Sequence, residues 1–301
     1  MATVHDELRR QLGTVGAWTF AFDAQPVADV RAGASALEEL GYGALWVPEG
    51  SGSRDILTHL SVLLQATERI TVASGIANVT ARQPEVLQAG IVTLADGFAE
   101  RPVFGIGVGH EYSTGTRGID WDRPLARMRG YLDLMDAASS LPAPAQAPQR
   151  LLAALGDRML GLSSDRALGA HTYFVPVTHT EHARSVLGPE PVLAVELTAI
   201  HASDPTRARQ LARAWARHYL ELPNYAKNLV RMGFSEDEVT GDGSDRLIDA
   251  TIAWGDADAV AARVREHLDA GADHVCVQYI DADDADLCLP AYAELAEIAL
   301  A

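Results

Sequence analysis

Eight times along this sequence a short apolar run is followed by a longer stretch with apolar residues every three to four positions, which restricts the chain to a parallel α/β architecture. The runs are VGAWTF (15–20), ALWVP (44–48), ITVASGIA (70–77), PVFGIGVG (102–109), RLLAAL (150–155), HTYFVPV (171–177), PVLAVELTAI (191–200) and HVCVQYI (274–280). In the first helical stretch Val27, Val30, Ala34, Leu37 and Leu40 share a face, and Gly41 suits a left-handed C-terminal cap. Further helices are predicted over 55–67, from Pro84 to 98, and where Leu125, Met128, Leu132 and Met135 align. Others begin near 157, 178, 204 and 257, and a last one turns Leu289, Tyr292, Leu295 and Ile298 inward. Eight βα units predict one closed (β/α)8 TIM barrel over residues 1–301, with its functional groups at the C-terminal ends of the strands.

One segment breaks the rhythm. Residues 219–254 are mixed in character, rich in Gly and Asp at GDGSD, and too long for a simple connection, so they are expected to form an irregular insertion before the last strand. The stretch PAPAQAP at 142–148 reads as a rigid loop rather than a domain linker.

Charge and composition then exclude several functions. A net charge of −17 would repel a phosphate backbone, so no nucleic-acid partner is expected. No run approaches the roughly 20 apolar residues of a membrane span, and MATVHDELRR lacks the order of a signal peptide, so a cytoplasmic protein is expected. Cys276 and Cys288 show no metal or disulfide spacing and are expected to be buried, reduced thiols. Lys227 is the sole lysine, and arginine supplies the remaining fixed positive charge.

Several motifs have ordinary readings. GIGVGH at 105–110 is followed by HEYSTGTRG, poor helix material, which argues against a dinucleotide fold; its glycines either let the strand pack closely or let a flat ring lie against the backbone. GSGS at 50–53 lacks nucleophile-elbow spacing, no HExxH occurs, and GDGSD is not a full calcium loop. His179 and His182 are expected to be solvated, and no metal site is predicted. His110 directly follows a strand, so it is either a proton-transfer group at the barrel mouth or a hydrogen-bonded loop histidine. Glu49 has the same placement after the second strand, as a catalytic or a rim carboxylate. Gly156 opens a helix facing the mouth, where free N–H groups favour phosphate; Arg158 could add a charged fork, and Asp157 opposes an anion unless it points away.

Taken together, LEELGYGALWVPEG (37–50), SGIANV (74–79), GIGVGH (105–110), RPLARMRGYLDLMD (123–136), ALGDRML (154–160), LPNYAKNLVRMGF (222–234) and AGADHVCVQ (270–278) resemble the luciferase-like monooxygenase superfamily. Within it they are similar to compact oxidoreductases that use the deazaflavin coenzyme F420, and the likeness runs from Trp18 to Gln278. The resemblance implies a cofactor ring at the C-terminal end of the barrel, backed by a bulge in the third strand with a non-prolyl cis peptide at Gly75–Ile76 and Asn78 just beyond. It also implies ring contacts at Gly107 and Gly109 and a cofactor phosphate near Leu155, Gly156 and Arg158.

By their positions at strand ends, His110 and Glu49 are the expected catalytic residues, and Trp18, Phe20, Tyr112 beside His110, and Asn224 and Tyr225 in an insertion expected to help close the pocket are the expected contacts of a small-molecule substrate. Relatives of this kind are often homodimers. Sugar-phosphate dehydrogenases of the superfamily carry a histidine soon after strand two and a glutamate after strand four; this chain has Glu49–Gly50 and His110 there, so a different substrate is implied. The expected reaction is hydride transfer with F420. The alternatives are an FMN-dependent monooxygenase and a non-catalytic flavin-binding protein of the same fold.

Overall fold

In the computed structural model, which describes residues 3–50, 52–98, 101–111, 115, 118, 122–139, 147–281 and 286–300, the strands close into a parallel barrel. They are β1 (Val15–Trp18), β2 (Ala44–Val47), β3 (Thr71–Asn78), β4 (Pro102–Gly107), β5 (Arg150–Ala153), β6 (Gly169–Thr172), β7 (Val192–His201), β8 (Ile252–Gly255) and β9 (His274–Tyr279). Eight of them form the ring β1-β2-β3-β4-β5-β6-β7-β9, closed by the β1–β9 pairing that sets Gly16 beside Cys276. β8 stands outside it, paired with the last four residues of β7, Thr198 to His201.

The helices are α1 (Val4–Leu12), α2 (Ala21–Ala24), α3 (Val27–Glu39), α4 (Ile56–Ala66), α5 (Pro84–Gly97), α6 (Pro124–Ala137), α7 (Asp157–Arg166), α8 (Val177–Leu187), α9 (Pro205–Leu220), α10 (Pro223–Arg231), α11 (Asp245–Thr251), α12 (Ala257–Asp269) and α13 (Leu289–Ala299). α1 starts with a capping box in which the Thr3 hydroxyl accepts from the Asp6 N–H and the Asp6 carboxylate from the Thr3 N–H. Its buried Leu8 and Leu12 join Ala44, Trp46, Val103, Leu151 and Val192 inside the barrel. That plugs the N-terminal end and leaves the C-terminal end for a site. No described helix is long and apolar enough to cross a membrane.

Where the chain departs from the periodicity, the reasons are local. The first strand stops at Trp18, because Phe20 already caps the short α2. The sixth ends at Thr172: Phe174 takes a left-handed φ of 52°, which breaks the ladder, and its N–H is donated to the Glu196 carboxylate (3.1 Å) instead. Residues 219–254 are not irregular; they hold α10, α11 and β8. With α9 they bury Ala212, Ala216, Leu220, Leu229, Leu247 and Ile248 in a core of their own, separate from the barrel's. On α13 Tyr292 and Leu295 turn inward as predicted, but Ile298 is exposed. α3 ends at Gly41, whose φ is 91°. Cys276 is buried and Cys288 half-buried, both as free thiols.

Candidate active site

A cavity of about 770 Å³ opens at the C-terminal end of the barrel, where the strand ends and the first turn of α7 meet α9 and α10. Trp18, Glu49, Asn78 and His110, carried by four successive strand ends, all line it. So do Phe20, Gly75, Ile76, Gly107, Gly109, Leu155, Gly156, Asn224 and Tyr225. Tyr112 lies outside the described residues.

The floor is a bulge in β3. The register against β4 shifts between Ser74 and Ala77, and the Gly75–Ile76 peptide is cis, where the family resemblance set it. β4 has glycines opposite for a steric reason. A Cβ on Gly107 would sit 2.5 Å from the Ile76 side chain, and one on Gly109 2.2 Å from Asn78 Nδ2. The space at Gly107 is therefore filled by Ile76 of the bulge, and Gly109, just beyond β4, has a left-handed φ of 71°, so both glycines are accounted for without any ring. Beneath the bulge two buried nitrogens, Trp18 Nε1 and His171 Nε2, have no hydrogen-bond partner among the described residues, and a Cβ on Gly75 would meet them at 2.5 and 3.2 Å. His171 stacks on Trp46, and its Nδ1 is 3.2 Å from the Ala194 carbonyl, which can only accept; Nδ1 therefore carries the proton and Nε2 presents a lone pair.

Glu49 is engaged rather than available. Both its oxygens accept from the Arg82 guanidinium, and Oε2 also accepts the Asn78 N–H (2.8 Å). Its side chain is 5% exposed, and Arg82 also reaches Asp55 at 2.9 Å. This geometry suits clamping the end of β3 to β2 and leaves no lone base.

His110 is half-buried, with the Tyr225 ring 5.6 Å away. Burial pulls its pKa down to about 4, the charge of His218 adds to the effect, and a hydrogen bond with Asn224 opposes it. It is therefore neutral near pH 7.

At the other end of the cavity, Gly156, which lines it, caps α7 without a side chain of its own, so the first N–H groups of the helix have no side-chain cap. Two histidines of α8 brace this turn: His179, fully buried rather than solvated, meets the Leu155 carbonyl at 2.8 Å, and His182 meets Asp157 Oδ1 at 2.8 Å. The His182 hydrogen bond holds the Asp157 carboxyl below its ordinary value and draws that charge onto α8. Arg158 is exposed and takes no part in the lining, because its place in the first turn of α7 carries it outside. The guanidinium that does meet Gly156 is Arg231, from α10. A Cβ on Gly156 would lie 3.3 Å from its Nη1. Arg231 is oriented by a 2.9 Å bond to the buried Asn228 Oδ1 and has no carboxylate partner among the described residues; Lys227, one turn earlier, also lines the cavity.

Sequence reading missed His171, Tyr173, Trp215, His218, Tyr219, Lys227 and Arg231. The alternation of His171 and Tyr173, and the 215, 218, 219 spacing on α9, were the available signals. Among the described residues no group of histidines, cysteines or carboxylates could hold a metal ion.

Comparison with known proteins agrees with this architecture. A family model described as luciferase-like monooxygenase matches residues 8–274. A 5,10-methylenetetrahydromethanopterin reductase of Methanolobus tindarius is 27% identical over 116 residues, 36% of each chain. The chain spans less than half the length of the curated relatives it matches. Among solved structures, the coenzyme F420-dependent tetrahydromethanopterin reductase from Methanopyrus kandleri superposes with a TM-score of 0.76 at 16% identity, over 96% of this chain and 99% of that one. The oxygenating constituent of 3,6-diketocamphane monooxygenase from Pseudomonas putida, in complex with FMN, gives 0.70 at 15% identity, over 95% and 98%. With most of its length matched by one family model over this barrel, the chain belongs to the luciferase-like monooxygenase family.

Proposed function

We propose that this chain is an oxidoreductase that transfers a hydride between the deazaflavin coenzyme F420 and a small organic substrate. The observation that carries the reading is the cavity itself. A glycine bulge with two nitrogens unpartnered among the described residues lies at one end, and a helix N-terminus faced by Arg231, held by Asn228, at the other. At about 770 Å³ it is large enough for a tricyclic ring and a second small molecule. When bound, the deazaflavin would supply hydride chemistry at its C5 carbon.

The residues of this chain do the rest. Gly75 and Ile76 back the ring, with Asn78 fixed beside them by the 2.8 and 2.9 Å bonds of its Oδ1 to Thr80. The N–H groups following Gly156 hold the phosphate with Arg231 and Lys227, in place of Arg158. Trp18, Phe20, Asn224 and Tyr225 receive the substrate. His110, neutral and bonded to Asn224, takes or returns the proton at the substrate oxygen. Glu49 positions the β3 end through Arg82.

A second reading, an FMN-dependent monooxygenase, is favoured by the likeness to the FMN-bound diketocamphane enzyme. Titration of the pure protein with F420 and with FMN, followed by fluorescence and absorbance, separates the two. Tighter binding of F420, and no oxygen uptake with reduced FMN, is the expected result. Preference for FMN with oxygen uptake would replace the first reading by the second, and binding of neither would reject both.

A further inference from the structure

Apart from the bulge and the phosphate end, the cavity has a third surface, and its composition is uneven. Six of its described lining residues are aromatic: Trp18, Phe20, Tyr173, Trp215, Tyr219 and Tyr225. They form one unbroken wall. Ring centroids are 4.6 Å apart for Trp18 and Phe20, 5.3 Å for Trp18 and Tyr173, 5.7 Å for Phe20 and Trp215, 5.7 Å for Trp215 and Tyr219, and 5.3 Å for Tyr219 and Tyr225.

The wall is also neutral. Among the described lining residues the fixed charges are Glu49, Lys227 and Arg231. Glu49 is cancelled by Arg82, Arg231 lies against Gly156 at the far end, and Lys227 stands one helical turn before Arg231 on α10. The phenols are tied to one another: the Tyr173 hydroxyl donates to Gln278 Oε1 at 2.8 Å and is 2.9 Å from the Tyr219 hydroxyl. Burial pushes the Tyr173 phenol far above its ordinary range, so it carries no charge. An anionic or polyhydroxylated substrate would be stripped of water here without enough partners to replace it. A flat or alicyclic ring would gain edge and face contacts with the half-buried Phe20, Tyr173 and Trp215, behind which the buried Trp18, Tyr219 and Tyr225 hold the wall in place.

We infer that the substrate of this site is a neutral, ring-bearing carbonyl compound or alcohol, seated on the wall of Trp18, Phe20, Tyr173, Trp215, Tyr219 and Tyr225. This deepens the hydride-transfer reading and rests on it for the carbonyl or alcohol function, whereas the preference for a neutral ring rests on the wall alone.

Calorimetric titration tests the inference, with cyclohexanone, acetophenone, pyruvate and glucose as probes, on the protein alone and on the protein saturated with whichever of F420 and FMN binds. The two ring ketones are expected to bind at least about tenfold tighter than pyruvate or glucose. Trp215→Ala is expected to remove about tenfold of ring-ketone affinity while F420 or FMN affinity stays unchanged, with Trp215→Phe restoring most of it. Equal binding of all four probes, tighter binding of pyruvate or glucose, or ring-ketone affinity untouched in Trp215→Ala would overturn the inference. Ring preference in a protein that binds neither cofactor would leave the neutral-ring part standing and sink the hydride-transfer reading. Cofactor binding without ring preference would do the reverse.

Discussion

The assignment of the phosphate end to Arg231 makes the sharpest prediction, because sequence proximity points to Arg158 instead. Removing the Arg231 guanidinium deletes a charge-assisted hydrogen bond to phosphate, which is worth about 1.5–3 kcal/mol when shielded. Arg231 is exposed in the structure, so solvent screening brings the effect to the bottom of that range or just below it; about 1–2 kcal/mol, or roughly 5- to 30-fold in Kd, is expected for Arg231→Ala. FMN and riboflavin differ only in the phosphate, so fluorescence titration with both isolates the contact. Arg231→Ala should weaken FMN binding and leave riboflavin binding unchanged, and the FMN loss should shrink as salt is raised. Arg158→Ala should change neither. An equal loss for FMN and riboflavin would mean that the mutation had disturbed α10 rather than removed a phosphate contact. A larger loss in Arg158→Ala than in Arg231→Ala would refute the placement of the phosphate argued from Gly156.

Other expectations follow from the same geometry. Glu49→Gln leaves the half-buried Arg82 with only the exposed Asp55, so it should cost about 2–3 kcal/mol in a denaturant melt; an unchanged midpoint with a collapsed turnover would make Glu49 a catalytic group instead. His110→Ala should lower turnover by about 100-fold with little change in cofactor Kd, and His110→Gln should be nearly as slow; a fast Gln variant would reduce His110 to a binding contact. His59, His110, His171, His179, His267 and His274 are all pulled by burial to pKa values of about 3 or 4. The unfolded chain takes up protons near pH 6.5 that the folded chain refuses until about pH 4, so their stabilisation is present above 6.5 and lost on acidification. Glu196 and Asp23, raised by burial to about 7 and 6, act in the opposite sense, giving stability that is lost as pH rises through those values. The histidines outnumber them, so the thermal midpoint should fall by several degrees from pH 7 to pH 5; a flat or rising midpoint would contradict the burial of these rings.

The barrel was legible because each of its eight strands has enough β-branched or apolar residues to stand out against a helix of period 3.6. β8 was not legible: IAWG is four residues long and follows DRLIDAT without a turn signal, so its strand character comes only from pairing with the end of β7. The bulge at Gly75–Ile76 was placed by family resemblance rather than by pattern, whereas the reason for Gly107 and Gly109 needed coordinates, since it lies in a neighbouring strand. His110 and Gly156 were found because each follows a strand end directly. Arg231 was missed because its partner Gly156 lies 75 positions away in sequence, and no local spacing reports such a meeting. On α9, Trp215, His218 and Tyr219 follow a helical period, but that pattern describes a core stripe equally well.

The short helix α10 has a consequence for how such a protein can change. Asn224, at the His110 end, and Arg231, at the Gly156 end, are seven residues apart, two turns on one face and about 10 Å along the axis. A single rigid rod thus touches both extremities of whatever lies in the cavity. On the proposed reading, residues that would contact the substrate and a residue that would hold the cofactor phosphate are inherited as one piece. Replacing the segment between β7 and β8 with that of a relative would exchange both preferences together, and an insertion of one residue within α10 would rotate its two ends relative to each other by about 100°. On the proposed reading, a change of substrate preference made through α10 works by side-chain replacement along the rod rather than by changes in its length.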